Sequence, residues 1–284
     1  METILKRTDN LRVVALILMI GAIPFLCNAQ EESIASRYLD DYSQHVGFTY
    51  GANATLNTAY LWRGIYAGSM NIQGGGCVGY GGLYADVWVN LGTDTWAFSK
   101  FQPEVDFTFG FARWGLDVNV LFVHSFMCPF FDFGYHPGGG NAIELRAAYT
   151  VSSKLPLSFL WSTRVGGSDA YIGTAGDTLR AYSTYIELSY MHPLPYDISV
   201  GGCIGVTPWR SLYTGYQGRF AVQNVEVRAR KIWGLTEHCG LKLQGTLSIN
   251  PHLLADDLSS AQWYPLNPGG QSVNANIALG VFLK

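Results

Sequence analysis

After its first 29 residues, this 284-residue chain has no segment apolar enough for a membrane helix, yet it is also poor in charge. Asp, Glu, Lys and Arg make up 14% of the residues, against about 25% in an ordinary soluble domain. Cysteine carries no signature. Cys77, Cys128, Cys203 and Cys239 show neither a CxxC spacing nor a pairing with histidine that would suggest a zinc site. Excess positive charge is missing too: the net charge is −3, which argues against a nucleic-acid partner. Aromatics are plentiful at 14%, and there are 33 glycines. A chain short of charge but without hydrophobic helices fits a transmembrane β-barrel, whose apolar residues are spread over alternating positions.

The leader reads as a secretory signal peptide. Lys6, Arg7 and Arg12 precede an apolar run over 13–26, and Cys27-Asn28-Ala29 offers a small residue at the cleavage point before Gln30. The run is shorter than the roughly 20 residues of a spanning helix. Leu26 before Cys27 argues against a lipoprotein. The expected domains are a signal peptide over 1–29, a periplasmic lead-in over 30–47 and a transmembrane barrel over 48–284. Removing the leader, with three basic and two acidic residues, takes the net charge from −3 to −4.

Residues 48–63, FTYGANATLNTAYLWR, set the pattern that the rest repeats. Phe48, Tyr50, Ala52, Ala54, Leu56, Thr58, Tyr60 and Trp62 fall on one face, and Thr49, Gly51, Asn53, Thr55, Asn57, Ala59, Leu61 and Arg63 on the other. A period of two predicts a strand, and sixteen residues is long enough to cross a bilayer when tilted, which takes about 9–11. Further strands are predicted at 71–80, 83–91, 101–111, 116–126, 143–151, 157–165, 182–190, 198–206, 220–231, 241–249 and 273–283. In 220–231 the apolar phase switches from Phe220 and Val222 to Val225, Val227 and Ala229, which predicts a β-bulge near Gln223-Asn224.

That makes an all-β, antiparallel, up-and-down transmembrane barrel of about twelve strands. Connections alternate long and short. With both termini in the periplasm, short turns such as Gly81-Gly82 and 152–156 are periplasmic, while loops such as 127–140 and 250–271 are external. Tyr80, Phe111, Tyr149 and Tyr190 would form the periplasmic aromatic girdle, and Tyr60, Trp62, Phe101, Phe126 and Tyr182 the outer one. The same alternation also builds soluble sandwiches with the apolar face inward. Here, however, nearly every apolar face lacks charge, and the opposite faces carry Asn, Thr, Ser and Gly rather than a soluble protein's Lys and Glu.

Asn57 to Gly64 (NTAYLWRG), then Ile72-Gln73 and GLYADVW from Gly82 to Trp88, resemble the TorF-type family of porin-like outer-membrane proteins. Tyr60, Trp62, Arg63 and Gly64 match its aromatic-x-Arg-Gly motif, and AYSTYIE from Ala181 and GVTPW from Gly205 look like the same type of barrel. The resemblance implies an outer-membrane location and a channel role, and brings no catalytic residues.

Candidate functional residues are those expected to line the lumen: Arg63, Asp86, Glu104, Asp106, Asp117, Glu144, Arg146, Arg164, Glu187, Glu226, Arg228, Arg230 and Lys242. Acids gather on the third to fifth predicted strands and bases on the tenth and eleventh. The fourth and tenth strands of a twelve-strand barrel face one another, so the charges either set a field across an open pore or pair and fill the space. Twelve strands lie between filled eight-strand barrels and open porins of 16–18. His124 reads as an interfacial histidine among aromatics; the other five histidines are placed in turns or loops, too scattered for a metal. The expectation is a non-enzymatic porin in a Gram-negative outer membrane, passing small polar solutes without a cofactor and touching lipid and lipopolysaccharide. A lipid-modifying enzyme and a closed structural or adhesive barrel are the alternatives. Oligomeric state stays open.

Overall fold

Local alternation becomes a closed wall once each strand finds two neighbours. The computed structural model describes residues 47–92, 103–125, 128–134, 140–255 and 272–283. The signal peptide and nearly all of the lead-in, together with Phe101 and Phe126, lie outside these residues.

Among the described residues there are sixteen strands, numbered in chain order. Twelve close a single antiparallel barrel: β1 (Phe48–Asn57), β4 (Asn71–Tyr80), β5 (Leu83–Gly92), β6 (Glu104–Arg113), β7 (Leu116–Ser125), β8 (Ala142–Thr150), β9 (Leu157–Gly167), β12 (Thr184–Leu194), β13 (Ile198–Thr207), β14 (Ala221–Gly234), β15 (Cys239–Ile249) and β16 (Val273–Leu283). β16 pairs back onto β1, which leaves no free edge. Two short hairpins stand outside this sheet, β2 (Tyr60–Trp62) with β3 (Ile65–Gly68), and β10 (Ala170–Ile172) with β11 (Thr178–Arg180).

Staves of 9–14 residues match a tilted bilayer crossing. Short connections gather at one rim and long ones at the other. Gly81-Gly82 closes β4 to β5 with φ of 62° and 97°, the positive angles a two-residue hairpin turn demands at both centres.

The barrel is inside out relative to a soluble protein. Exposed large side chains include Phe48, Tyr50, Ile72, Val78, Leu83, Phe109, Leu188, Val227, Leu247 and Ile277, all on one face of their strands. The opposite faces are buried and polar: Asn53, Thr55, Asn119, Glu144, Glu187, Gln244, Thr246, Ser248 and Asn276. Burying polar groups while exposing apolar ones is stable only when the surroundings outside are hydrocarbon.

Boundaries differ from the sequence expectation in several places. The predicted sixteen-residue first strand breaks at Thr58. Thr58 N–H still reaches the Ile277 carbonyl at 3.0 Å, and the Asn276 side-chain oxygen then accepts from Ala59 N–H at 3.1 Å, so the chain leaves the β16 ladder. From Tyr60 the chain is strand again, but it pairs with β3 instead of the wall. β12 runs on to Leu194, which places His192 in a strand rather than a turn. The loop after β15 opens with a one-turn helix, α1 (Pro251–Ala255). The bulge lies where expected: Gly205 pairs with Asn224 but Val206 with Val222, leaving Gln223 as the extra residue. A second, unpredicted shift at Ile143/Glu144 leaves Val165 extra on β9.

Candidate functional site in the lumen

The β2–β3 hairpin folds into the barrel. Its turn, Arg63-Gly64, has φ of 51° and 76°. A Cβ on Gly64 would stand 2.2 Å from the Gln223 carbonyl oxygen, so glycine alone lets the tip press onto β14 at its bulge. Asn250 Nδ2 donates to the Gly64 carbonyl at 3.2 Å. The two bulges therefore flank the docked tip, one under Gly64 and one beside Glu144, where extra residues re-aim the wall.

Arg63 is 3% exposed, and its guanidinium donates to both Glu144 carboxylate oxygens, at 2.6 and 3.3 Å. It also donates to the Tyr213 hydroxyl and lies 5.0 Å from the Trp62 ring, 4.8 Å from Tyr185 and 5.6 Å from Tyr213. Glu144 collects two more arginines, Arg146 at 3.0 Å and Arg164 at 3.9 Å, and accepts from Ser162. An ion in a low-dielectric interior needs such multiple partners.

Above this charge lies an apolar knot. Ile65, Tyr185 and Tyr213 are fully buried and pack with Leu212, while Trp62, Leu160 and Tyr216 lean on them. Leu212 and Tyr213 come from a 3-10 turn (Leu212–Thr214) in the loop after β13, whose Ser211 side chain caps Tyr213 N–H at 3.3 Å. Burial raises the Tyr213 hydroxyl above its usual range and pushes Tyr216 up to about 12, so both rings stay neutral.

The predicted lumen residues divide between this cluster and smaller groups. Arg63 is inside, but at a hairpin tip rather than on a stave. Tyr60 and Trp62 correct the outer girdle: they turn inward, Tyr60 donating to Glu104 at 3.0 Å with its ring tilted 5.8 Å from that of Trp88. Tyr80, Tyr149, Tyr190 and Tyr182 remain exposed aromatics. Glu104 and Asp106 sit on β6 near the Glu144 cluster, and neither makes an ion pair among the described residues. Asp117 accepts from Tyr84 and Asn119, each at 2.9 Å, beside Asp86 on β5. Glu187 accepts from Tyr185 at 2.6 Å. Arg228 pairs with Glu226 on its own strand at 2.5 Å. Arg230 follows on the same face of β14, and Lys242 is buried on β15.

The fourth and tenth wall strands, β6 and β14, stand opposite in the ring as expected, while the ion pairs described are made locally. At the level of Asp106 and Glu144 the inward residues of β7 are Val123 and Leu121, which put no charge between β6 and the arginines of β8 and β9. Ser162 falls on the inner face that the alternation of 157–165 predicts, whereas Tyr185 and Tyr213, which complete the cluster, were not singled out from the sequence. Tyr185 was legible as an inward position of its strand; Tyr213, in an aperiodic loop, was not.

His124 faces outward, with Nδ1 2.8 Å from the Asn141 side-chain oxygen and its ring 4.7 Å from Phe130. None of the four described cysteines is in a disulfide, and Cys77 and Cys203 are buried on the lumen side. Among the described residues no group of three or more His, Cys, Asp or Glu could hold a metal ion.

The fold and this interior define a transmembrane β-barrel with a polar lumen. No family model matches the chain, and no curated protein does. Similar solved structures include the NanC porin (TM-score 0.46, 9% identity, 83% of this chain and 100% of that one). The COG4313 outer membrane channel from Pseudomonas putida F1 matches at 0.42 and 12%, covering 86% and 97%. The KdgM porin matches at 0.40 and 6%, covering 82% and 98%. At these scores the likenesses add nothing to what the barrel itself displays.

Proposed function

We propose that this chain is a porin of a Gram-negative outer membrane, of the TorF type, passing small polar solutes by passive diffusion without catalysis. The observation that carries this reading is the inside-out wall, polar and charged within and apolar towards lipid. Seven acids (Asp86, Glu104, Asp106, Asp117, Glu144, Glu187, Glu226) stand against six bases (Arg63, Arg146, Arg164, Arg228, Arg230, Lys242) among the candidate lumen residues. Near-balanced charge gives a weak ion preference and suits neutral or zwitterionic cargo. The short-turn rim faces the periplasm in this reading, and the exposed aromatics sit at the lipid headgroups and lipopolysaccharide. Liposome swelling with the purified full-length protein tests it: small sugars and amino acids should enter faster than into protein-free vesicles.

A closed structural barrel is the second reading. It is favoured by the knot of Ile65, Tyr185, Leu212 and Tyr213 packed inside the long-loop end. Swelling rates equal to those of empty liposomes would select it.

A further inference from the structure

We propose that the β2–β3 hairpin is a hinged gate, latched across the lumen by Arg63 on Glu144; this rests on the channel reading above. The hairpin belongs to no wall strand, since β2 and β3 pair only with each other. Its base is fixed. The Asn276 side-chain oxygen accepts from Thr58 N–H, Thr58 Oγ1 and Ala59 N–H, and Asn276 Nδ2 donates to Asn57 at 3.3 Å. On the return limb Asn71 Nδ2 donates to the Ser69 carbonyl at 2.8 Å and Asn57 Nδ2 to Asn71 at 3.2 Å. Asparagines of three adjacent staves thus pin both ends of the loop to the rim.

The tip is held quite differently, by side chains from distant parts of the chain. Glu144 comes from β8, Tyr213 from the loop after β13, and Asn250 from the end of β15. No backbone ladder joins tip to wall; the tip is seated chiefly by the buried ion-pair cluster on Glu144 and a small apolar seat around Ile65, with Tyr60 bonded to Glu104 nearer the base. Arg63 is also held at φ 51°, a left-handed conformation that a non-glycine residue keeps only when its surroundings enforce it. A fixed base, a side-chain latch and a strained tip together make a segment that swings as a unit when the latch is released.

Arg63→Gln is the best probe, because Glu144 keeps Arg146 and Arg164 as partners. Tyr213→Phe removes only the hydroxyl and preserves the ring packing. Ile65→Cys, in a full-length chain whose native cysteines are serine, reports docking: its buried thiol should react slowly with a water-soluble thiol reagent. Adding Arg63→Gln should raise the labelling rate at least several-fold and Tyr213→Phe by less, while heat-modifiable gel migration shows the barrel still folded. In planar bilayers the same two substitutions should raise single-channel conductance in the same order. Unchanged labelling in a folded Arg63→Gln barrel overturns the gate. Faster labelling with no conductance in any variant upholds a movable hairpin but overturns the channel reading it serves.

Discussion

The barrel wall and the hairpin it encloses are made of the same kind of residue and held by opposite means. Along β6, Val105, Phe107 and Phe109 meet lipid while Glu104, Asp106 and Thr108 turn inward, and ladders to β5 and β7 fix the strand at every residue. The hairpin over 60–68 is just as alternating, but it shares no ladder with the wall: its contacts there include the Arg63 guanidinium, the buried Ile65, the Tyr60 hydroxyl on Glu104 and Gly64 on a bulge. Wall strands are stabilised by neighbours on both sides and by the bilayer, so their stability is shared over many contacts. The hairpin's position rests on a few groups, and single substitutions should move it.

The substitutions that sharpen this contrast can be ranked. Glu144→Gln strips the shared carboxylate from Arg63, Arg146 and Arg164 and leaves buried cations without their partner. It should lower the unfolding free energy by about 3–5 kcal/mol in denaturant titrations of the lipid-embedded barrel. Val105→Arg puts a charge on the lipid face near the long-loop end of β6, and should cost less than the about 2–4 kcal/mol of a midplane site in the same assay. Gly64→Ala drives a methyl into the Gln223 carbonyl and should undock the hairpin while leaving the wall folded. The expected signature is faster proteolysis or labelling over 60–68 with an unchanged unfolding midpoint. Asp106→Asn, on the lumen side one residue from Val105, should change stability by well under the Val105→Arg effect. Equal losses at 105 and 106 would mean that the inside and outside of the wall have been exchanged.

Much of the wall was legible because a period of two survives translation into a sheet whose faces meet different solvents. Strand order, the alternation of long and short connections and the bulge at Gln223 all derive from that signal. The phase switch around Val222 and Val225 is the bulge seen in one dimension. The hairpin was not legible for a physical reason: Tyr60, Leu61 and Trp62 keep the same period, and periodicity identifies a strand without naming its partner. The Asn276 side chain, more than 200 residues away, takes the Ala59 N–H where the β1 ladder ends. Arg63 was identified as a lumen residue and Gly64 as part of a motif, but their roles depend on Glu144 and on the Gln223 carbonyl. The second bulge, at Val165, leaves no trace because Gly166 and Gly167 come directly after it and interrupt the apolar phase. Tyr213 had no periodic context at all.

Topology in the cell is a smaller but independent check. Cysteines introduced within 127–140 and 250–271 should be labelled from outside intact cells, and those at Gly81-Gly82 or 152–156 should not. The reverse pattern would invert the barrel in the membrane.

The most direct measurement is the current through purified full-length protein in a planar bilayer under a salt gradient. The account predicts stepwise conductance with a reversal potential close to zero. It also predicts a shift towards anions, without loss of the steps, when Glu104→Gln and Asp106→Asn are combined. A membrane that stays silent across voltages and lipid compositions would contradict the account and leave a barrel closed by its own hairpin.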